Sequence, residues 1–131
     1  MEIYVFGNRD LAFDSLPLRL IPKLTARFPD DSFLVRDPNE EWEFSGPFVV
    51  LDTVVGIGEP RLFSSLSSFQ SAPRMTCHDF DAYSNLRWLA KIGRLPKLVI
   101  LGVPPTMEED AALNAVSELL EKARTRLTEE A

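Results

Sequence analysis

The sequence predicts an α/β fold: a three-layer open sandwich with a mostly parallel central sheet of about five strands and helices on both faces. Two observations lead to this class. Continuous apolar runs rich in β-branched residues, such as Phe48–Asp52 and Lys97–Val103, are typical of strands buried on both faces of a sheet. Segments with the helical spacing of apolar residues separate these runs, and strands joined by helices form largely parallel sheets.

The bulk composition predicts one cytoplasmic domain spanning residues 1–131. Apolar residues make up 45% of the chain, which is enough for a core. The net charge is −6 and the fourteen Lys and Arg residues are scattered, so we expect neither nucleic acid nor a membrane as a partner. The single cysteine, Cys77, fits a reducing compartment, and no signal sequence or membrane span is recognisable.

The first third of the chain predicts a strand, a helix and a second strand. Ile3–Phe6 is a short apolar run ended by a Gly-Asn pair, and Phe33–Arg36 is a similar run. Pro17 suits the first turn of the intervening helix, but Pro22 conflicts with it, so that helix either kinks or starts late. Its apolar face is predicted to consist of Leu16, Leu20, Leu24 and Phe28.

After the strand Phe48–Asp52, we expect a loop over 56–60 and a further strand over Arg74–Cys77. The Ser-rich segment 64–71 between them is interpreted as a loop, either without regular structure or with one short strand. The next helix is capped by Asp79 or Asp81 and ends at Gly93. Its predicted buried face consists of Ala82, Leu86, Leu89 and Ile92.

The last helix follows the strand Lys97–Val103 and the pair Pro104-Pro105. Thr106 and Glu109 have the spacing of a capping box, which predicts the start of the helix. Its buried stripe is predicted to consist of Leu113, Val116, Leu120 and Leu127.

Three polar residues follow predicted strands and form a candidate metal site. Asp14 follows the first strand, Asp52 ends the third, and His78 ends the segment before the second helix. Ligands of open α/β sheets bind outside the carboxyl ends of the strands, so we expect these side chains to converge. Two carboxylates and an imidazole suit a divalent ion such as nickel, zinc or manganese.

Each of the three residues also has a structural interpretation. Asp14 precedes Pro17 closely enough to be the N-cap of the first helix, and Asp52 is placed to cap a turn. A lone histidine such as His78 is often a satisfied structural residue.

Several motifs, in order, resemble the hydrogenase maturation endopeptidase family. That family has a strand, Gly-Asn, a short loop and an acidic residue before a helix, as in Val5–Asp14. It then has a strand ending in aspartate, as in Val49–Asp52, and a histidine motif before a helix, as in Cys77–Phe80. A Leu-Pro pair, a strand and a Gly-Ile-x-Pro motif follow, as in Leu95–Pro105.

The resemblance implies a metal-dependent endopeptidase that removes the C-terminal extension of a nickel–iron hydrogenase large subunit after nickel insertion. It implies that the large-subunit precursor is the partner and that Asp14, Asp52 and His78 contact its nickel, with zinc or another divalent ion as a surrogate. Asp14 and Asp52 are then also the candidate catalytic carboxylates.

Two departures from the family pattern favour a second hypothesis. Phe13 stands where the family has an acidic residue, and Pro17 where it has glycine. These features favour a divergent, non-catalytic member that acts as a metal-binding assembly factor or protein-binding module. A third hypothesis is a structural α/β domain in which Asp and His residues only cap and pack.

Overall fold

A computed structural model describes residues 1–36, 46–63, 74–75 and 86–128. We number strands and helices in chain order, and one turn of 3-10 helix, Ala12–Asp14, precedes the first helix. The strands are β1 (Glu2–Val5), β2 (Ser32–Val35), β3 (Phe48–Val55), β4 (Arg61–Phe63), β5 (Arg74–Met75) and β6 (Leu98–Val103). The helices of the described ranges are α1 (Leu16–Arg27), α2 (described over 86–91) and α3 (Glu109–Thr128).

The strands form one sheet in the order β2-β1-β3-β6-β4. The four strands β2, β1, β3 and β6 are parallel, β4 is antiparallel to β6, and β5 pairs antiparallel with the end of β3. Val49 lies at the centre, with Ile3 of β1 on one side and Val99 of β6 on the other. The predicted mostly parallel sheet is therefore confirmed.

Helices cover both faces of the sheet, as predicted. Alternate residues of each strand point to opposite faces, so every central strand contributes to two separate apolar clusters. Odd-numbered residues such as Val5 and Leu51 pack against α1 and α3. Even-numbered residues such as Tyr4 and Val50 form the other cluster with Leu86 of α2.

Helix α1 accommodates Pro22 in its interior. The helix begins at Leu16, so the alternative of a late start is wrong. Pro22 lies on the exposed side of the helix. It therefore removes one backbone hydrogen-bond donor without disturbing the packing of the core. The opposite side carries the predicted apolar face, in which Leu16, Leu20 and Leu24 are fully buried and Phe28 is half-buried.

Helix α3 buries the predicted stripe but does not begin at the predicted capping box. Its first α-helical hydrogen bond runs from the Ala112 N–H to the Glu108 carbonyl oxygen, at 2.9 Å. The helix therefore starts at Glu109, and Thr106 lies too far upstream to be its N-cap. The buried stripe does include Leu113, Val116, Leu120 and Leu127.

The strands predicted over Ile3–Phe6, Phe33–Arg36 and Lys97–Val103 agree with β1, β2 and β6 to within one residue at each end. Strand β3 is longer than predicted: it continues past Asp52 to Val55 because Thr53 pairs with Val103, and Val54 with Met75 of β5. Strand β4 was not predicted, and the second half of the predicted strand Arg74–Cys77 lies outside the described residues. The predicted loop 64–71, the caps Asp79 and Asp81, and His78 lie outside the described residues. No helix in the described ranges is long and apolar enough to cross a membrane.

Candidate functional site

The sheet has its topological switch point between β1 and β3. The chain leaves β1 through α1 to reach β2 on one side, whereas β3 pairs with β1 on the other side. Connections that depart in opposite directions leave a crevice at the carboxyl ends of the two central strands, where α/β proteins bind ligands. Asp14 follows β1 and Asp52 lies near the end of β3, so both aspartates are at this crevice.

Backbone hydrogen bonds hold Asp14 against the end of β1. The Asn8 N–H donates to the Asp14 carbonyl oxygen at 2.9 Å, and the Asp14 N–H donates to the Leu11 carbonyl oxygen at 2.9 Å. A third bond, from the Leu11 N–H to the Asn8 carbonyl oxygen at 3.2 Å, closes the loop. The loop thereby places Asp14 inside the protein, where its exposed fraction is 1%.

Asp14 is not the N-cap of α1. It is the last residue of the 3-10 turn, and Ser15 occupies the N-cap position of the helix. The Ser15 hydroxyl donates to the Ala12 carbonyl oxygen at 3.2 Å and makes no capping bond to the helix. The interpretation of Asp14 as a capping residue is therefore wrong, which leaves its carboxylate in the crevice without that structural task.

Asp52 lies within β3 and is fully buried. Its Oδ1 accepts a hydrogen bond from the Thr53 N–H at 2.8 Å, which fixes the orientation of the carboxylate. The register of β1 with β3 ends at the pair Val5 and Leu51, and the Phe6 N–H donates to the Leu51 carbonyl oxygen at 3.0 Å. Asp52 therefore starts the part of β3 that extends beyond β1, and the interpretation of this residue as a turn cap is wrong.

Strand periodicity determines the face on which Asp52 projects. Its side chain shares a face with Val50 and Val54, the face that α2 covers. Gly102 lies directly opposite Asp52 in the register with β6. A Cβ atom on Gly102 would be 2.6 Å from Cγ2 of Val54 and 3.1 Å from a ring carbon of Phe63, so glycine is required for β3, β4 and β6 to pack closely here.

The structure places two of the three predicted site residues at the same edge of the sheet. Asp14 follows β1 and Asp52 lies just beyond the part of β3 that pairs with β1, whereas His78 lies outside the described residues, so the shared site stays a prediction. Within the described ranges, no group of three or more His, Cys, Asp and Glu residues is arranged to hold a metal ion. A third protein ligand would have to come from the rest of the chain.

Sequence reasoning missed a cleft beside Asp14. It has a volume of 380 Å³ and lies between the 8–14 loop and the first half of α1. The spacing of Ser15 and Arg19, one helical turn apart, was the available signal, since the Arg19 Nε donates to the Ser15 hydroxyl at 3.2 Å. The cleft is lined by Arg9, Ser15, Leu18, Arg19, Ile21 and Pro22.

Thr53 is a second residue that sequence reasoning missed. It is fully buried next to Asp52, and its hydroxyl has no hydrogen-bond partner within the described part of the chain. Its backbone N–H, in contrast, is used to hold Asp52. A threonine inside an apolar β-branched run is indistinguishable by sequence from an ordinary strand residue.

Comparison with known proteins gives similarity at the level of the fold. No family model matches the sequence, and no curated protein sequence matches it. The hydrogenase maturating endopeptidase HybD from E. coli is structurally similar, with a TM-score of 0.64 at 17% identity over 95% of this chain and 93% of that one.

Two further solved structures are similar. An endopeptidase from Escherichia coli, solved in solution, gives a TM-score of 0.62 at 18% identity, covering 97% of this chain and 92% of that one. A hydrogenase 3 maturation protease gives 0.60 at 14% identity, covering 94% and 88%. The similarity extends over nearly the full length of each protein. The chain therefore has the fold of the hydrogenase maturation endopeptidases, as the sequence motifs implied.

Proposed function

We propose that this protein is a single-domain cytoplasmic endopeptidase of hydrogenase maturation. Its substrate is the nickel-loaded large-subunit precursor of a nickel–iron hydrogenase, from which it removes the C-terminal extension. The observation that carries the proposal is the pair Asp14 and Asp52, whose exposed fractions are 1% and 0% at the carboxyl ends of adjacent parallel strands. The fold shared with the endopeptidases HybD and hydrogenase 3 maturation protease supports it.

The chemistry of the two side chains fits a divalent cation. Burial of a carboxylate costs free energy, and two carboxylates at one crevice repel each other, so a cation between them offsets both terms. With His78 as a third ligand, the set has the oxygen and nitrogen donors that suit nickel or zinc. The nickel belongs to the substrate, and its recognition would restrict the enzyme to loaded precursors. Zinc or another divalent ion would occupy the same ligands as a surrogate.

The two aspartates are also the proposed catalytic groups. One carboxylate takes a proton from a water molecule, whose oxygen then bonds to the carbonyl carbon of the scissile peptide. The carbon–nitrogen bond breaks, and the proton passes to the leaving amine, so that the products are a carboxylate and a free amino terminus. The hydrogen bond from the Thr53 N–H to Oδ1 holds the Asp52 carboxylate in a fixed orientation for this role.

The test is cleavage of a nickel-loaded large-subunit precursor, followed by mass spectrometry of the two products. The wild-type protein should release one discrete C-terminal peptide. Asp14→Asn, Asp52→Asn and His78→Ala should each slow cleavage by about 100-fold or more, because each removes a charge or ligand that acts on the reacting region. Asp110→Asn is the matched control, since Asp110 is an exposed residue on α3 that pairs with Lys23. It should cleave at the wild-type rate.

Calorimetry with nickel and zinc separates this function from the alternatives. One observation favours a non-catalytic assembly factor: Phe13, next to Asp14, is a large apolar side chain with 47% exposure where the family has an acidic residue. That function predicts metal or precursor binding that depends on Asp14 and Asp52, without any cleavage. If the wild-type protein neither binds metal or precursor nor cleaves the precursor, the third hypothesis, a purely structural domain, is supported.

A further inference from the structure

The cleft beside Asp14 carries two cationic side chains on a chain that is acidic overall. Arg9, in the 8–14 loop, and Arg19, on α1, both line the cleft and are exposed. Neither forms an ion pair with another residue of the described part of the chain. Because the protein has a net charge of −6, these unneutralised guanidinium groups form a local positive region against a negative background.

The remaining walls of the cleft are apolar and consist of Leu18, Ile21 and Pro22. The cleft therefore offers cations, a serine hydroxyl and apolar contact side by side, a combination that suits a peptide segment with a carboxylate next to apolar side chains.

The position of the cleft connects it with the proposed active site. Ser15 lines the cleft and directly follows Asp14, and Leu18 packs near Gly7 at the end of β1. A peptide bound at Asp14 would therefore lie next to the cleft, because Ser15 belongs to its wall. The volume of 380 Å³ is within the range of about 300–1,000 Å³ typical of ligand pockets.

We propose that this cleft is a specificity subsite that binds a carboxylate of the substrate peptide through Arg9 and Arg19, with an adjoining apolar side chain on Leu18, Ile21 and Pro22. This inference rests on the proposed endopeptidase function, because it assigns the cleft to the same substrate. The carboxylate is either an acidic side chain or the terminal carboxylate of the extension. Both sources have the planar geometry that a guanidinium group recognises with paired hydrogen bonds.

Three synthetic peptides distinguish the two sources without any cleavage or metal ion. Ac-Leu-Asp-Val-NH₂ carries only a side-chain carboxylate, Ac-Leu-Asn-Val-OH carries only a terminal one, and Ac-Leu-Asn-Val-NH₂ carries neither. Binding is measured by NMR from the amide shifts of Ser15 and Ile21. At least one carboxylate peptide should bind about tenfold more tightly than the neutral peptide at low salt, and added salt should reduce the difference.

Two variants identify the responsible side chains. Arg9→Gln combined with Arg19→Gln should remove the preference for the carboxylate, whereas Arg126→Gln, an exposed control on α3 that matches the charge change of each single substitution, should retain it. If the double variant fails to fold, Arg9→Gln alone serves, since Arg9 is an exposed loop residue. Equal binding of the three peptides, no amide shift with any of them, or an equal loss in Arg126→Gln would overturn the proposal. Because these measurements need no turnover, they are independent of the cleavage assay that tests the proposed function.

Discussion

A Cβ atom on Gly7 would lie 2.7 Å from the carbonyl oxygen of Asp14. Real Cβ atoms do not approach a backbone oxygen so closely, so glycine is required at this position for the 8–14 loop to close against β1. The same carbonyl oxygen accepts the Asn8 N–H. The Gly-Asn pair after the first strand therefore positions the first site carboxylate: Gly7 leaves the space and Asn8 provides the hydrogen bond.

We expect Gly7→Ala to destabilise the protein by about 1–3 kcal/mol, because the methyl group displaces the Asp14 backbone and presses on Leu18. The free energy of unfolding in urea measures this effect. Gly58→Ala is the control, since a Cβ atom there would have no neighbour within 4 Å. It should change stability by about 0.5 kcal/mol or less. Equal effects in both variants would show that steric closure at Gly7 is not what holds the loop.

Asp31 joins the start of β1 to α3. It is buried, its Oδ1 is 3.2 Å from the N-terminal ammonium of Met1, and its Oδ2 pairs with Arg124. We expect Asp31→Asn to destabilise the protein by about 1–3 kcal/mol, because both cations lose their partner and Arg124 is only partly exposed to solvent. Asp110→Asn breaks an exposed pair with Lys23 and should cost less than about 1 kcal/mol. Thermal or urea unfolding of the two variants gives the comparison.

The same carboxyl group predicts a pH dependence. Burial alone would raise the pKa of Asp31, but the hydrogen bonds and charges of Arg124 and the N-terminal ammonium outweigh burial and hold the pKa below its ordinary value. A lowered folded-state pKa means that the stability from this group is fully present above the unfolded value of about 4 and is lost as the pH falls through the folded value. The stability difference between wild type and Asp31→Asn should therefore be constant near neutral pH and shrink below about pH 4. A difference that grew on acidification would contradict this assignment.

Tyr4 provides a second titration, at alkaline pH. Burial, followed by the hydrogen bond that its hydroxyl donates to Glu2 at 2.8 Å, raises the pKa of Tyr4 to about 12 from its ordinary value near 10. The unfolded chain ionises first, so stability from the neutral phenol is present below about pH 10 and is lost as the pH rises towards 12. In a Tyr83→Phe background, Tyr4 is the single tyrosine, and tyrosinate absorbance should report its titration. Circular dichroism shows over which pH range the protein stays folded. A tyrosinate titration midpoint near pH 10 within that range would contradict the assignment. Tyr4→Phe should remove the alkaline loss of stability.

The sequence was sufficient to predict those helices and strands whose apolar periodicity is contained in a single segment. The stripe Leu16, Leu20 and Leu24 and the run from Phe48 follow from helical and strand periodicity, which a single segment contains. The placement of Asp14 and Asp52 at one sheet edge followed from the rule for strand ends, which depends only on the order of elements.

Features that depend on distant partners could not be predicted in this way. The last residues of β3 are a strand because β5 and β6 pair with them, and β4 is a strand because Leu62 pairs with Leu101. The cleft forms only because the 8–14 loop folds back on α1, which brings Arg9 beside Arg19. The helical spacing of Ser15 and Arg19 was a signal for the contact of those two residues, but nothing in the sequence placed Arg9 beside them.

Asp52→Asn separates function from stability at the proposed site. An asparagine side-chain oxygen can keep the hydrogen bond from the Thr53 N–H, so the local structure of β3 should be preserved. Removal of a fully buried charge relieves its desolvation, so the free energy of unfolding should stay equal or rise by about 1 kcal/mol. Cleavage of the nickel-loaded precursor should nevertheless fall by about 100-fold or more. Urea denaturation and the cleavage assay on the same preparation test both parts. A variant that lost activity and stability together would identify Asp52 as a structural residue, because a group kept for chemistry is expected to cost stability in the folded protein.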